Sequence, residues 1–478
     1  MKKTAINDLI KDKALLKKLR TVFIVAAVAV LLFCVNVLAD MLPWTYDMTA
    51  EKLFTLSEQT KSVLQHLDDE VNVVAFFEEG EEDPTVKALL EEYRKFAGGK
   101  LKVDYIDADK NPAAVRKFDV KSEGISNGMV AFESGGKVKV IKKTDIFILY
   151  DYIYTKAFNG EQQFTGAITY VTSHNLPKLY FLEGHREPDI NADLSKLKAR
   201  IEGEAHVVES LNIMKTGAIP DDAETIVVVS PKRDLADAET ELLKEFLIRG
   251  GSAIFLFDIL TDDEQMPNFN RLLKSYGIQF TNNFVVEEDS NSFYANNKMY
   301  LIPYYTKHSI VEKLNNDRLF VLLPFSCNIE IMNEIDRTVT VETLLISSDN
   351  SWIRYNLNDA SPGKTEEDKA GPATLAVAAY KDNTDLRYDK TKIIVAGNGM
   401  FVDNNYIDTQ GNFDFFMNSV NWAEDKDESI SIRPKLMNAN TMFVKGEMYI
   451  IIMAISVLVI PLLAFLAGLT IWLKRRHQ

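Results

Sequence analysis

Two long uncharged runs bracket the chain. Thr21 to Ala39 holds 19 residues without a charge, and Met448 to Leu473 holds 26. At about 1.5 Å per residue the second exceeds a hydrocarbon core of roughly 30 Å, and the first nearly matches it. Both predict membrane-spanning helices. Between them, apolar residues recur in short groups with two different periods. Runs of four to seven β-branched and aromatic residues read as strands, and longer stretches with helical spacing read as helices.

In chain order, Ser57 caps a predicted helix reaching about Leu67, and Val71–Phe77 reads as a buried strand. Asp83-Pro84 opens a helix through Phe96, stopped by Gly98-Gly99, and Leu101–Ile106 alternates as a strand. Gly128–Phe132 and Val138–Ile141 form a hairpin across Gly135-Gly136. This pattern predicts a thioredoxin-like α/β domain over residues 45–150, without the Cys-x-x-Cys of thioredoxin chemistry. Phe158–Ser173 reads as a connecting helix. Four strands follow, at 179–182, 205–208, 225–229 and 253–257, with predicted helices at 192–201 and 237–248 and a further one at 268–276. That alternation predicts a doubly wound parallel sheet over 151–445, with Lys392–Ala396 and Asn412–Trp422 completing it. Residues 359–372 read as a mobile polar loop.

Charge gives the runs an orientation. Residues 1–20 carry seven basic and two acidic groups, and Lys474, Arg475 and Arg476 follow the second run. Both flanks, 1–20 and 474–478, are therefore expected in the cytoplasm, with the region between them outside. The whole chain carries −15; the first segment contributes +5 and the tail +3, which leaves −23 on the outer region. So acidic a surface argues against nucleic acid as a partner. Val37-Leu38-Ala39 resembles a signal-peptidase site, but the long basic lead and long apolar run favour an uncleaved anchor. Cys34 lies within that run and Cys327 outside the membrane, so no disulfide is expected.

The order of short motifs resembles the GldG-type auxiliary component of bacterial ABC transport systems, first associated with gliding motility. The residues carrying the likeness are Asp47-Met48-Thr49 with Lys52–Ser57, Tyr180–Glu187, and Pro220-Asp221-Asp222. Gly250-Gly251 with Phe255–Asp258, Val395–Asn398, Asn418–Trp422 and Pro461 in the last apolar run complete it. The resemblance covers essentially the whole chain. It implies a non-catalytic partner of an ABC permease and a separate ATPase subunit, with an amidotransferase-like, Rossmann-like outer domain shared with an intraflagellar transport protein.

Candidate chemistry is sparse. No Walker A sequence and no His-Glu-x-x-His occur, and six histidines are few for a metal site. Gly124-Ile125-Ser126-Asn127-Gly128 matches the Gly-x-Ser-x-Gly pattern, but a strand-like run follows where a nucleophile elbow needs a helix, so it reads as a turn. The densest polar cluster runs from Glu183 to Asp189, just past the first strand of the parallel sheet. Glu183, His185, Arg186 and Glu187 there are candidate contacts for a ligand or an envelope protein or glycan partner; the plainer alternative is a capping turn with solvated charges. An amidotransferase nucleophile would be a cysteine, and Cys327 is distant in sequence. Pro461 should bend the last membrane helix, and Ala464 with Gly468 gives it a small-residue face for close packing on another helix. No catalytic residue, cofactor or metal is expected. The leading expectation is a two-span auxiliary subunit in the bilayer; the alternatives are a membrane-tethered envelope hydrolase and a transporter-independent scaffold or sensor.

Overall fold

The computed structural model describes residues 20–27, 30, 47, 49, 52–120, 122, 124–150, 155–173, 175–260, 265–359, 361, 363–382, 390–425, 432 and 435–437. The chain divides into two compact units, Met1–Thr55 and Leu56–Gln478. In the first, residues 20–27 are helical and leave Val22, Phe23, Ile24 and Val25 more than half exposed. Further along, the Asp47 carboxylate accepts hydrogen bonds from the Thr49 and Phe54 amides and both threonine hydroxyls at 49 and 55, folding the segment into a tight turn. Burial pushes the Asp47 carboxyl up, but these hydrogen bonds together outweigh it and hold the group below its ordinary value. Among the described residues no helix is long and apolar enough to cross a membrane. Most of 21–39 and all of 448–473 lie outside the described residues, so both expected spans do too.

The second unit opens with α1 (Glu58–Gln65), capped by the Ser57 hydroxyl. Strand β1 (Val71–Phe76), α2 (Pro84–Phe96), β2 (Leu101–Ile106), α3 (Pro112–Phe118) and the hairpin β3 (Val130–Ser134) and β4 (Lys137–Ile141) follow. They form a four-stranded sheet in the order β2-β1-β3-β4, with β1 and β2 parallel and the rest antiparallel. Proline in the first turn of α2 and α3 sets the start of each helix, because its fixed φ suits that position and its missing N–H is not needed there. Strands β5 (Phe147–Tyr150) and β6 (Thr155–Phe158) lead into α4 (Gly160–Thr172).

Helix α4 is more than a connector. Ten of its residues are buried, including Glu161, Gln162, Gln163 and Thr165. On one side Phe164 packs against Phe132 and Tyr93 of the small sheet lobe. On the other, Gly166 meets α5 (Ser195–Gly203) so closely that a Cβ there would stand 1.7 Å from the Gly203 carbonyl oxygen.

The large lobe is built on eight strands. After β7 (Lys178–Leu182) come β8 (Val207–Leu211), β9 (Thr225–Val229), α6 (Asp237–Ile248), β10 (Ser252–Leu256) and α7 (Pro267–Lys274). Later come β11 (Tyr304–Tyr305), α8 (Ser309–Asn316), β12 (Val339–Ile346), β13 (Thr374–Asp382), β14 (Lys390–Ala396) and α9 (Asn412–Ala423). The sheet order is β11-β12-β13-β14-β10-β9-β7-β8. Five neighbouring strands, from β8 to β14, are parallel, and β11 to β13 add on antiparallel. The sheet is therefore mixed, a correction to the all-parallel expectation. Its cause is visible in β12, whose burial alternates over Val339–Thr343, the mark of a strand with one wet face.

Helices cover both faces. Val227 and Val229 point into one core with Leu197 and Ile201 of α5, Leu314 of α8 and Phe416 of α9. Ile226 and Val228 point into the other with Leu243 and Phe246 of α6 and Phe269 and Leu273 of α7. A strand buried on both faces has no polar alternation, hence the unbroken Ile226–Val229 run.

The 359–372 loop is held rather than loose. Arg354 donates to the carbonyls of Asp359, Ser361 and Gly363 and makes a two-pronged ion pair with Asp368, using all five of its N–H groups. Both side chains are 3 % exposed.

Candidate functional site

The chain runs from β7 to β8 on one side and then returns to place β9 on the other side of β7. The crevice beyond the carboxyl ends of β7 and β9 is thus the point where the strand order reverses, the usual ligand position in open α/β sheets. Glu183 to Asp189 leaves β7 directly into it. The Glu183 amide continues the ladder by donating to the Leu211 carbonyl at 2.9 Å. Gly184 then takes φ +123°, a conformation that suits glycine, and Arg186 takes φ +63°. This tight path turns His185 inward.

His185 is fixed on every side. Its Nδ1 lies 3.0 Å from Glu187 Oε1 and its Nε2 2.9 Å from Glu239 Oε2, while its own amide donates to Glu187 Oε2 at 2.6 Å. Its carbonyl accepts from the Lys232 and Arg233 amides in the loop after β9. Two carboxylates facing the two ring nitrogens require both to donate, so the ring is an imidazolium. Burial pushes its pKa down, but the hydrogen bonds and charges of Glu187 and Glu239 outweigh burial and raise it to about 9. Glu239 also accepts from the Ala236 amide and so starts α6.

The structure thus brings His185 and Glu187 together and sends Glu183 elsewhere. Glu183 is half exposed, 3.7 Å from Lys215 Nζ, and Arg186 is exposed. The residue that sequence reasoning missed is Glu239. Its sequence signal was a glutamate three residues past a helix start, which reads as a cap and says nothing of a histidine 54 positions earlier. The space left in the crevice is a cavity of about 110 Å³ lined by Phe181, Leu182, Glu187, Ile190 and Val229 among others. That admits a few waters, well short of the ≈ 300–1,000 Å³ of small-molecule sites.

The same carboxyl edge continues over β10 and β14 without opening. Asp258 accepts from the Gly399 amide at 2.6 Å and lies 3.4 Å from Lys232 Nζ. A Cβ on Gly399 would meet Ser230 Oγ at 2.1 Å, and one on Gly397 would meet the Cys327 carbonyl at 2.0 Å, so the backbones touch. Cys327, remote in sequence, is brought to this edge but fully buried; burial and then the Asp258 charge push its thiol pKa far above the ordinary range. A thiol held protonated and out of reach is no nucleophile. Among the described residues no group of three or more His, Cys, Asp or Glu could hold a metal ion. Ser126 lies in the turn before β3, with a strand and not a helix beyond it. Pro461, Ala464 and Gly468 lie outside the described residues.

These features define a two-faced mixed α/β protein with an internal ion-paired histidine at its switch point, beside a small cavity. Residues 176–427, from β7 through α9, match the family described as "ABC-type uncharacterized transport system", and the chain belongs to that family. Residues 50–147 match a domain of unknown function, DUF7088. No curated protein matches. Among solved structures, the chain is similar to the mmIFT52 N-terminal domain, at 17 % identity and TM-score 0.38, covering 52 % of this chain and 97 % of that one. It is also similar to the NTD_N/C domain of the alkylhydroperoxide reductase AhpF from Enterococcus faecalis, at 16 % identity and TM-score 0.19, covering 34 % and 79 %. Likenesses at these TM-scores have no bearing on its function.

Proposed function

We propose that the protein is a non-catalytic, GldG-type auxiliary subunit of an ABC transport complex. Two spans, Thr21–Ala39 and Met448–Leu473, anchor it in the bacterial cytoplasmic membrane beside a permease, with a separate ATPase subunit on the cytoplasmic side. The outer region, a thioredoxin-like lobe and an amidotransferase-like lobe, presents an acidic surface to a transported substrate or an envelope partner. The observation that carries this reading is the family match over the whole large lobe. The exposed apolar helix at Val22–Val25 supports the first span, since such a surface is costly in water and at home in lipid. The engagement of His185 with two internal carboxylates supports a non-catalytic role, because neither ring nitrogen is left to face a bound substrate. The test is purification of the tagged full-length chain from native membranes in mild detergent. Recovery of an ATPase and a polytopic permease in fixed ratio is expected; recovery of the chain alone would sink the reading.

A further inference from the structure

Glu161, in the first turn of α4, is 3 % exposed and holds two segments that are far apart in the chain. Its Oε1 accepts from the Ser57 amide at 2.6 Å and the Thr60 hydroxyl at 2.9 Å, at the very start of the second unit. Its Oε2 lies 2.6 Å from Nζ of Lys435, in the last strand described, β15 (Lys435–Leu436). The start of the unit and the Lys435 strand therefore share one carboxylate.

The surroundings are built around that carboxylate. Thr60 Oγ1 lies 2.9 Å from Thr165 Oγ1, and the Tyr93 hydroxyl lies 2.6 Å from that same oxygen and donates to the Glu161 carbonyl. Glu161 Oε2 is buried and has no directed hydrogen bond among the described residues, so Lys435 meets it as a charge. A buried carboxylate is unfavourable beside a neutral side chain and favourable beside an ammonium group. Among the described residues, Lys435 and Leu436 of β15 pair antiparallel with Phe158 and Ala157 of β6. The ion pair ties that pairing to the first turn of α4.

We propose that Glu161 is a clasp: through it the outgoing Lys435 segment braces the incoming Ser57–Thr60 segment, so that a displacement of one end is felt at the other. The inference rests on the reading of both ends as membrane-inserted, because only then do they bear load from a moving permease. Coupling of this kind needs a shared element that both ends bias, and the Glu161 carboxylate at the start of α4 is that element.

The test is hydrogen exchange on the full-length chain purified in detergent, comparing wild type with Lys435→Met, Lys435→Arg and Glu161→Gln. Lys435→Met should speed exchange about tenfold at Thr155–Phe158 and also at Ser57–Thr60, at the opposite end of the unit. Glu161→Gln, which keeps an acceptor for Ser57 but loses the charge, should do the same, and Lys435→Arg should restore protection at both places. Faster exchange confined to Thr155–Phe158 in both variants would overturn the clasp. Since exchange is read on the isolated chain, this outcome is separate from failure to co-purify an ATPase, which would instead refute the auxiliary-subunit reading.

Discussion

Glu239 lies 54 residues beyond His185 in the chain, yet its Oε2 stands 2.9 Å from His185 Nε2. The pair joins the turn after β7 to the start of α6, and Glu187 holds the other ring nitrogen, at the point where the sheet reverses. A position that hosts ligands in many open α/β sheets is here occupied by the protein's own ion pairs.

The first prediction follows from the charge on that ring. The folded-state pKa of His185 is raised to about 9 from the usual 6.5, so its contribution is complete below about 6.5 and is lost as pH rises through about 9. The shift corresponds to on the order of 3 kcal/mol. Thermal unfolding of the full-length protein in detergent should show a falling Tm between pH 7 and 10. His185→Gln should be less stable at pH 7 and lose most of that alkaline fall. Parallel curves for the two proteins would show that His185 does not carry the charge.

The helix crossing of α4 and α5 predicts a reversal of a common rule. Alanine for glycine inside a helix ordinarily gains about 1 kcal/mol. At Gly166 the new Cβ would meet a backbone oxygen at 1.7 Å, so Gly166→Ala should lose about 2 kcal/mol or more. Gly203→Ala meets the flexible end of Gln163 at 2.9 Å and should cost less. Denaturant midpoints of the two variants order the effects; equal costs would contradict the crossing.

Arg354 should prove a loop-forming residue. Its replacement by lysine removes the fork that spans three carbonyls and Asp368, at a cost on the order of 2 kcal/mol. Limited proteolysis should then cut between residues 359 and 368 well before the wild type is cut there. The hydrogen bond from Arg354 holds the Asp368 carboxyl down at about 2, so this tie is present above about pH 4 and weakens as pH falls towards 2.

Cys327 should be chemically silent. With the thiol fully buried and its pKa raised, peptide mapping after alkylation at pH 8 should find it unmodified in the folded protein and modified after denaturation. Rapid labelling of Cys327 in the native state would place it at an open site.

Local signals were read well where local chemistry sets the structure. Ser57, Asp83-Pro84 and Gly250-Gly251 mark helix ends through groups within a few residues, and the helices at 84–96 and 237–248 begin and end where the sequence placed them. The buried run 225–229 was legible for the same reason, since a strand covered on both faces needs only continuous apolar side chains. Past residue 290 the sheet is extended by pairings between distant segments, Tyr304 with Ile346 and Val339 with Lys381, so no local period announces β11 to β13 or the three-carbonyl grip of Arg354.

By itself, then, the sequence determined the main helices and strands up to about residue 290, the two long apolar runs with their basic flanks, and the cluster of polar residues after β7, because each depends on neighbours in the chain. Only the tertiary structure decided what that cluster is for. His185 reads as a free ligand group until Glu239 arrives from α6, and Glu161 as an ordinary helix-start glutamate until Ser57 and Lys435 converge on it. Whether a charged side chain faces a ligand or another part of its own chain is set by which distant segments the cores bring together, and that is information no local stretch contains.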